Sequence, residues 1–128
     1  MSRPDGSKSS LKTSFACAFA GIASAAHERN FKIESAVGVV AIVLGFAFHV
    51  SLLEWLAIIV CIGVVLGLEC LNTSLESLVD LASPGYNELA RRAKDCAAGA
   101  VLVASIAALV VGIILFAPRI LSVLGLMG

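Results

Sequence analysis

Residues 55–80 read WLAIIVCIGVVLGLECLNTSLESLVD, and this stretch decides the class of fold. Its first part, Trp55–Leu68, contains no charged residue and no Asn, Gln, Ser or Thr. The remainder carries two glutamates, an aspartate and an asparagine. The apolar part suits the interior of a membrane, where polar groups are costly and usually serve a function. The stretch therefore predicts a membrane helix with a functional polar end.

The composition of the whole chain also favours a membrane protein. Of its 128 residues, 59% are apolar and 14% are charged, and the mean hydropathy is +1.01. A soluble domain carries about 25% charged residues, and a chain this short cannot bury so much apolar surface. Lys plus Arg and Asp plus Glu both number 9. The balanced net charge gives no indication of a nucleic-acid partner, and none is expected.

The spacing of apolar residues predicts four helices. Apolar residues recur at three- and four-residue steps from Leu11 to Ile22, which is typical of an amphipathic helix on a membrane surface. We expect this surface helix over about residues 8–27. Long apolar runs predict three membrane spans, over about residues 30–48, 52–82 and 88–117.

Helix-breaking residues set the expected limits of a single domain. Ser83-Pro84-Gly85 is expected to end the second span, and Pro118 the third. We expect one membrane domain over residues 8–118, a flexible start over 1–7 and a short tail over 119–128. The polar start lacks the layout of a signal peptide, so the chain is expected to be kept whole.

The basic residues predict the orientation in the membrane. Eight of the nine Lys and Arg residues precede the first span or lie between the second and third, and Arg119 alone lies on the other side. By the positive-inside rule, a multi-pass protein of the inner (plasma) membrane is expected, with its N-terminus in the cytoplasm and its C-terminus outside.

Small residues four apart, such as Gly63 and Gly67, favour close helix packing. A homo-oligomer would also shield the acidic residues better than three helices alone.

The polar residues after Leu68 share one face of their helix. At about 100° per residue, five of them fall within an arc of roughly 100°: Glu69, Asn72, Thr73, Glu76 and Asp80. About 25 Å of helix separates Leu52 from Glu69, so Glu69 is expected near the cytoplasmic boundary of the hydrocarbon. A helix that simply leaves the membrane would account for Asp80 but not for this shared face, so we favour a functional polar stripe.

Two further polar clusters are expected at the same depth. Residues 27–30 read HERN and precede the first span, with Lys32 and Glu34 in its first turns, and residues 91–95 read RRAKD. Carboxylates suit Mg²⁺, a lysine suits phosphate, and a carboxylate can serve as a general base. This inventory matches phosphoryl transfer, although the sequence contains no GxxxxGK[ST] or GxGxxG phosphate loop.

Two other classes of function remain open from the residues alone. A small oligomeric cation-coupled transporter would also hold carboxylates in the membrane, but near its middle and without a lysine beside them. A non-catalytic assembly subunit held by small-residue packing would leave the polar stripe unexplained. The four cysteines form no CxxC pair, and we expect them to be apolar packing residues.

Three blocks of sequence resemble a family of small prokaryotic membrane lipid kinases, the diacylglycerol kinases and undecaprenol kinases. ECLNTSLESLVD (69–80) is similar to their E-x-x-N-[ST]-x-x-E-x-x-V-D motif, ARRAKDCAAGAVL (90–102) to a block centred on A-K-D, and HERNFKIE (27–34) to E-x-x-F-[KR]. The resemblance covers roughly residues 14–118. It implies an all-α homotrimer with active sites shared between subunits, and transfer of the ATP γ-phosphate to a lipid hydroxyl.

Positions that match these motifs imply roles for eight residues. Glu69 resembles the catalytic base, and Glu28 and Glu76 the carboxylates that hold Mg²⁺ on the phosphates. In the family, the other five matched positions contact phosphate or support the nucleotide or substrate, and here they are Lys94, Asp95, Asp80, Asn72 and Glu34. The form ERNFK followed by LNTSLESLVDL is more similar to the undecaprenol kinases, which favours undecaprenol over diacylglycerol as the lipid.

Overall fold

The computed structural model describes residues 10–126, and these form four α-helices without a strand. The helices are α1 (Leu11–Ala25), α2 (Arg29–Ala47), α3 (Leu52–Ala82) and α4 (Glu88–Val123). The last three are long and apolar enough to cross a membrane, while α1 is shorter. The predicted class, an all-α membrane protein with three spans and one surface helix, is confirmed.

The helix boundaries follow capping residues in the sequence. Ser10 caps α1 by accepting a hydrogen bond from the Thr13 N–H, and Asn87 caps α4 in the same way. Ser51 and Glu54 form a reciprocal capping box at the start of α3, which ends at Ser83 as expected. The spans α2 and α3 match the predicted limits within one residue. The expected flexible start over 1–7 lies outside the described residues.

The end of α4 differs from the expectation. The helix continues through Pro118 to Val123, which corrects both the predicted end at residue 117 and the start of the expected tail at 119. A proline lacks the N–H that would bond to the carbonyl four residues earlier. Here Arg119 donates from Nη1 to the Leu115 carbonyl at 2.6 Å and from Nη2 to the Glu54 carboxylate at 2.9 Å. These bonds tie the turn that follows the proline to α3.

A tight turn joins α2 to α3 at one end of the bundle. His49 adopts a positive φ of 50°, and the Val50 N–H donates to the Gly45 carbonyl at 3.1 Å. The Trp55 ring packs so closely on Gly45 that a Cβ there would lie 2.8 Å from a ring carbon. This end also holds the main apolar core, which is formed by Val50, Ile58 and Phe116.

The central helix of the bundle is α3, which contacts each of the other three. Two ion pairs fix its antiparallel register against α4, namely Asp80 with Lys94 at one end and Glu54 with Arg119 at the other. Most large apolar side chains remain outside any core, and Leu53, for example, is 78% exposed. So much apolar surface is untenable in water, so lipid or further copies of the chain must cover it.

Candidate active site

A polar pocket of about 280 Å³ lies between α2, α3 and α4. Its walls are formed by Asn30, Ile33, Glu34, Glu69, Asn72, Glu76, Ala98, Val101, Leu102 and Ser105. Four of the eight residues to which the sequence assigned a role therefore meet in one cavity: Glu34, Glu69, Asn72 and Glu76. The spacing of residues 69, 72 and 76 explains why α3 supplies three of the four, since these positions share one helix face.

Glu69 is the most deeply buried charged residue of the pocket. It is 2% exposed and Asn72 is 9% exposed. The Asn72 amide donates to Glu76 Oε1 at 2.9 Å. Within residues 10–126, however, Glu69 Oε1 and Asn72 Oδ1 have no hydrogen-bond partner. Two buried oxygens without partners are costly, and such a pair is suited to accept a proton donor or a cation brought by a ligand.

Several like charges gather around Glu69. The carboxylates of Glu34, Glu76 and Glu28 all act electrostatically on it. Glu28 stands at the N-cap of α2, where its side chain makes no capping hydrogen bond. Among residues 10–126, no ion pair joins any of these four carboxylates to a cationic side chain. The site thus holds concentrated negative charge that a bound cation would offset.

The donor set fits a magnesium ion that arrives with a phosphate ligand. Among residues 10–126, no three Asp, Glu, His or Cys side chains are arranged as a preformed metal site. Mg²⁺ commonly uses one or two protein carboxylates and completes its shell with substrate phosphates and water. Glu76 and the exposed Glu28 are carboxylates of this kind, and the unpartnered oxygens nearby favour a cation rather than an anion.

The other predicted site residues lie outside the pocket. Lys94 pairs with Asp80, and Asp95 pairs with Arg91 at 2.9 Å. Glu69 and Asp80 are eleven residues apart on α3, or about 16 Å along the axis. Within one chain, Lys94 therefore lies at the outer rim of the polar face and not beside Glu69. Ala98 lines the pocket one turn along α4, so Lys94 lies on the same face of that helix, one turn beyond the pocket.

An apolar groove of about 520 Å³ adjoins the polar pocket. It runs between α2 and α4 over the surface of α3, and Val37, Ile58 and Ala108 are among the residues that line it. The groove and the pocket share Ile33, Glu34 and Ser105 in their walls. A hydrocarbon chain in the groove would therefore present its end to the acidic pocket.

Asn30 and Ser105 were not assigned a role from the sequence. Ser105 stands on α4 and donates to Glu34 Oε1 at 2.8 Å, across 71 positions of sequence. One signal was available for it, because it is the only Ser, Thr, Asn or Gln residue in the apolar run Cys96–Ala117.

Most of the chain matches one known protein family. The family model for prokaryotic diacylglycerol kinase matches residues 16–116. The chain belongs to the prokaryotic diacylglycerol kinase family. Membership confirms the resemblance inferred from the three sequence blocks, and the matched region includes the whole polar pocket and all eight predicted site residues.

Relatives within this family carry two different substrate names. A diacylglycerol kinase of Synechocystis sp. is 45% identical over 116 residues, which are 89% of this chain but 66% of that protein. The chain thus spans slightly less than two thirds of that relative. An undecaprenol kinase of Bacillus subtilis is 39% identical over 93 residues, 73% of this chain and 76% of that protein. The diacylglycerol kinase of Escherichia coli K12 is 33% identical over 89 residues, 70% of this chain and 73% of that protein. At the level of the family, lipid kinase is the enzyme class.

Proposed function

We propose that this protein transfers the γ-phosphate of ATP, with Mg²⁺, to the hydroxyl of a membrane lipid, and that undecaprenol is the acceptor. The observation that carries the proposal is the position of Glu69. Its buried carboxylate has a free oxygen in a polar pocket that adjoins an apolar groove. ATP comes from water and the lipid hydroxyl comes from the bilayer, so a site at this junction allows the two to meet.

Glu69 is the general base of the proposed reaction. It takes the proton of the lipid hydroxyl while the lipid oxygen attacks the γ-phosphorus. The new bond joins that oxygen to phosphorus, the bond between the γ-phosphorus and the bridging oxygen breaks, and ADP leaves with the bond electrons. The Asn72–Glu76 hydrogen bond fixes two side chains that line the pocket beside the base.

Glu28 and Glu76 are the residues that would hold Mg²⁺. When bound, the ion neutralises charge on the phosphates and thereby favours attack by the lipid oxygen. Lys94 can contribute to phosphate binding by leaving Asp80, because both side chains of this pair are partly exposed to solvent and exposed ion pairs are weak. Asp80 and Asp95 then support the nucleotide end of the site.

Two lipids compete as the acceptor. Undecaprenol is favoured by the similarity of the motifs around Glu28 and Glu69 to those of the undecaprenol kinases, and the apolar groove beside the pocket suits a single-chain lipid. Diacylglycerol is the second candidate, and the 45% identity to a protein of that name supports it. Both lipids present a hydroxyl at the membrane interface, so the same carboxylate chemistry serves either.

The proposed setting is the inner (plasma) membrane, with the pocket on the cytoplasmic side. The distribution of eight of the nine basic residues supports this orientation.

We also propose a homotrimer with shared active sites, as the resemblance implies. The small core and the exposed apolar faces of α3 and α4 support association, and a neighbouring copy could supply the Lys94 that lies away from Glu69 within one chain.

A transfer assay tests the proposal. The purified protein is incubated in lipid micelles with γ-labelled ATP, Mg²⁺ and either undecaprenol or diacylglycerol. We expect label in undecaprenyl phosphate and a slower or absent reaction with diacylglycerol. Faster labelling of diacylglycerol would select the second candidate, and labelling of neither lipid would contradict the proposed function.

A further inference from the structure

We propose that Ser105 is a positioning residue that acts through Glu34 to align the lipid hydroxyl with Glu69. This inference rests on the proposed function, because it concerns how the acceptor of that reaction is held. It assigns a role to a serine that lies outside the three sequence blocks resembling the family.

The hydrogen bond between Ser105 and Glu34 lies where the two cavities meet. Ser105 Oγ donates to Glu34 Oε1 at 2.8 Å in a partly buried setting. Both residues belong to the walls of the apolar groove and of the polar pocket. Within residues 10–126, this is the one side-chain hydrogen bond that joins α2 to α4. A lipid whose chain lies in the groove and whose hydroxyl enters the pocket must therefore pass this pair.

The register of the helices places Ser105 at the depth of Glu69. Asp80 faces Lys94, and α3 and α4 are antiparallel. Moving eleven residues back along α3 gives Glu69, and moving eleven residues forward along α4 gives Ser105. The serine and the proposed base thus stand at one level, about 16 Å from the rim formed by Asp80 and Lys94.

A purely structural role explains Ser105 less well. A serine in a membrane helix usually bonds to the carbonyl four residues earlier on its own helix, as Ser77 does with Thr73 in α3. Ser105 instead bonds across the bundle to a carboxylate. Polar groups at this depth are rare and usually functional.

The bond has a direct consequence for the acceptor. Glu34 lies close enough to Glu69 to act on it electrostatically, and a free carboxylate there would compete for the hydroxyl of the lipid. Ser105 occupies Glu34 Oε1 and holds that side chain against α4. The lipid hydroxyl is then directed to Glu69, whose Oε1 has no partner among the described residues.

Steady-state kinetics of Ser105→Val, Ser105→Ala and Ser105→Thr test this role. Threonine keeps the hydroxyl, whereas valine has nearly the same shape without it. We expect valine and alanine to raise the KM for the lipid about five- to tenfold, which is the usual effect of losing a hydrogen bond of this kind. We expect threonine to stay within about twofold of wild type, and the KM for ATP to stay unchanged in all three variants.

Ser122→Ala is the matched control, because Ser122 is exposed on the same helix and seventeen residues away. Its kinetics should equal those of the wild type. Equal lipid KM values for the valine and threonine variants would overturn the proposal, as would a parallel rise in the KM for ATP. If wild-type protein labels a lipid but the Ser105 variants have the same lipid KM as the wild type, only the proposed role of Ser105 fails. If wild-type protein labels no lipid, the proposed function fails as well.

Discussion

At the scale of single residues, the central feature is a carboxylate buried among other carboxylates. Glu69 is 2% exposed, and Glu34, Glu76 and Glu28 all act on its charge. Such an arrangement is unfavourable for folding, because buried charges without partners are costly. The cluster of carboxylates is accounted for if a cation and a phosphate donor complete the site during the reaction. Catalytic sites often sacrifice stability in this way.

The carboxylate of Glu76 gives a residue-scale prediction about the metal. Glu76→Gln removes one of the two expected Mg²⁺ ligands and keeps the shape of the side chain. We expect the Mg²⁺ concentration for half-maximal transfer to rise about tenfold or more, because a ligand charge is lost. A Mg²⁺ titration of the transfer rate measures this. Glu88→Gln, an exposed carboxylate on α4 outside the pocket, serves as control, and an equal shift in both variants would contradict the metal role.

The sequence predicted the residues of this site that share one helix. Glu69, Asn72 and Glu76 group together because helix geometry alone places positions three, four and seven apart on one face. The sequence did not predict the bond between Ser105 and Glu34, since its partners are 71 residues apart and meet only through the packing of α2 and α4 on α3. The pairing of Lys94 with Asp80 depends on that same tertiary register.

At the scale of elements, the length and apolar pattern of the helices were predictable because a span must cover the hydrocarbon. The end of α4 was not, because Pro118 normally stops a helix. The helix continues past Pro118, and Arg119 contacts both Leu115 on its own helix and Glu54 on α3. A contact between helices thus accompanies this departure from the local rule for helix ends.

The turn between α2 and α3 gives a prediction about stability. Gly45→Ala places a Cβ 2.8 Å from the Trp55 ring, so the ring or a helix must move. We expect a net loss of about 1–2 kcal/mol, since overpacking costs more than the gain in helix propensity. Thermal unfolding in detergent measures it. Gly21→Ala in α1 is the control, because a Cβ built there has no described atom within 4 Å apart from adjacent turns of its own helix. A Gly45→Ala melting temperature at or above wild type would refute the prediction.

The apolar groove gives a second prediction at this scale. Ala108 lines the groove, whereas Ala107 is exposed and lines neither cavity. Ala108→Leu should fill part of the groove and raise the KM for the lipid about tenfold, while Ala107→Leu should leave it unchanged. Alanine and leucine have similar helix propensities, so the comparison isolates the added volume. Equal lipid KM values for the two variants would exclude the groove as the site of the lipid chain.

At the scale of the whole molecule, the chain leaves most of its apolar surface outside any internal core. Gly63 and Gly67 are spaced for close helix packing, yet among residues 10–126 no atom beyond adjacent turns of their own helix lies within 4 Å of their Cβ positions. Their small size is therefore not explained by contacts within the chain. A second copy packed on this face of α3 would explain it, in line with the proposed trimer.

Gly67→Leu tests this assembly. Gly67 is exposed, and apart from adjacent turns of its own helix no described atom lies within 4 Å of a Cβ built there, so we attribute a loss of association in this variant to contact with a neighbouring copy. We expect the association of subunits to weaken about tenfold or more, and chemical cross-linking in detergent across a dilution series measures it. Ala107→Leu should assemble like the wild type. An unchanged trimer fraction in Gly67→Leu would exclude this face from the interface.

The central claim is that Glu69 takes the proton of a lipid hydroxyl during phosphoryl transfer. The most direct measurement is the rate of phosphate transfer from labelled ATP to lipid by Glu69→Gln, compared with Glu54→Gln, which changes a carboxylate at the opposite end of the same helix. We expect Glu69→Gln to lose about a thousandfold or more in rate while it still binds ATP with Mg²⁺, and Glu54→Gln to keep most of its activity. A Glu69→Gln rate within about tenfold of wild type would contradict the assignment of the base.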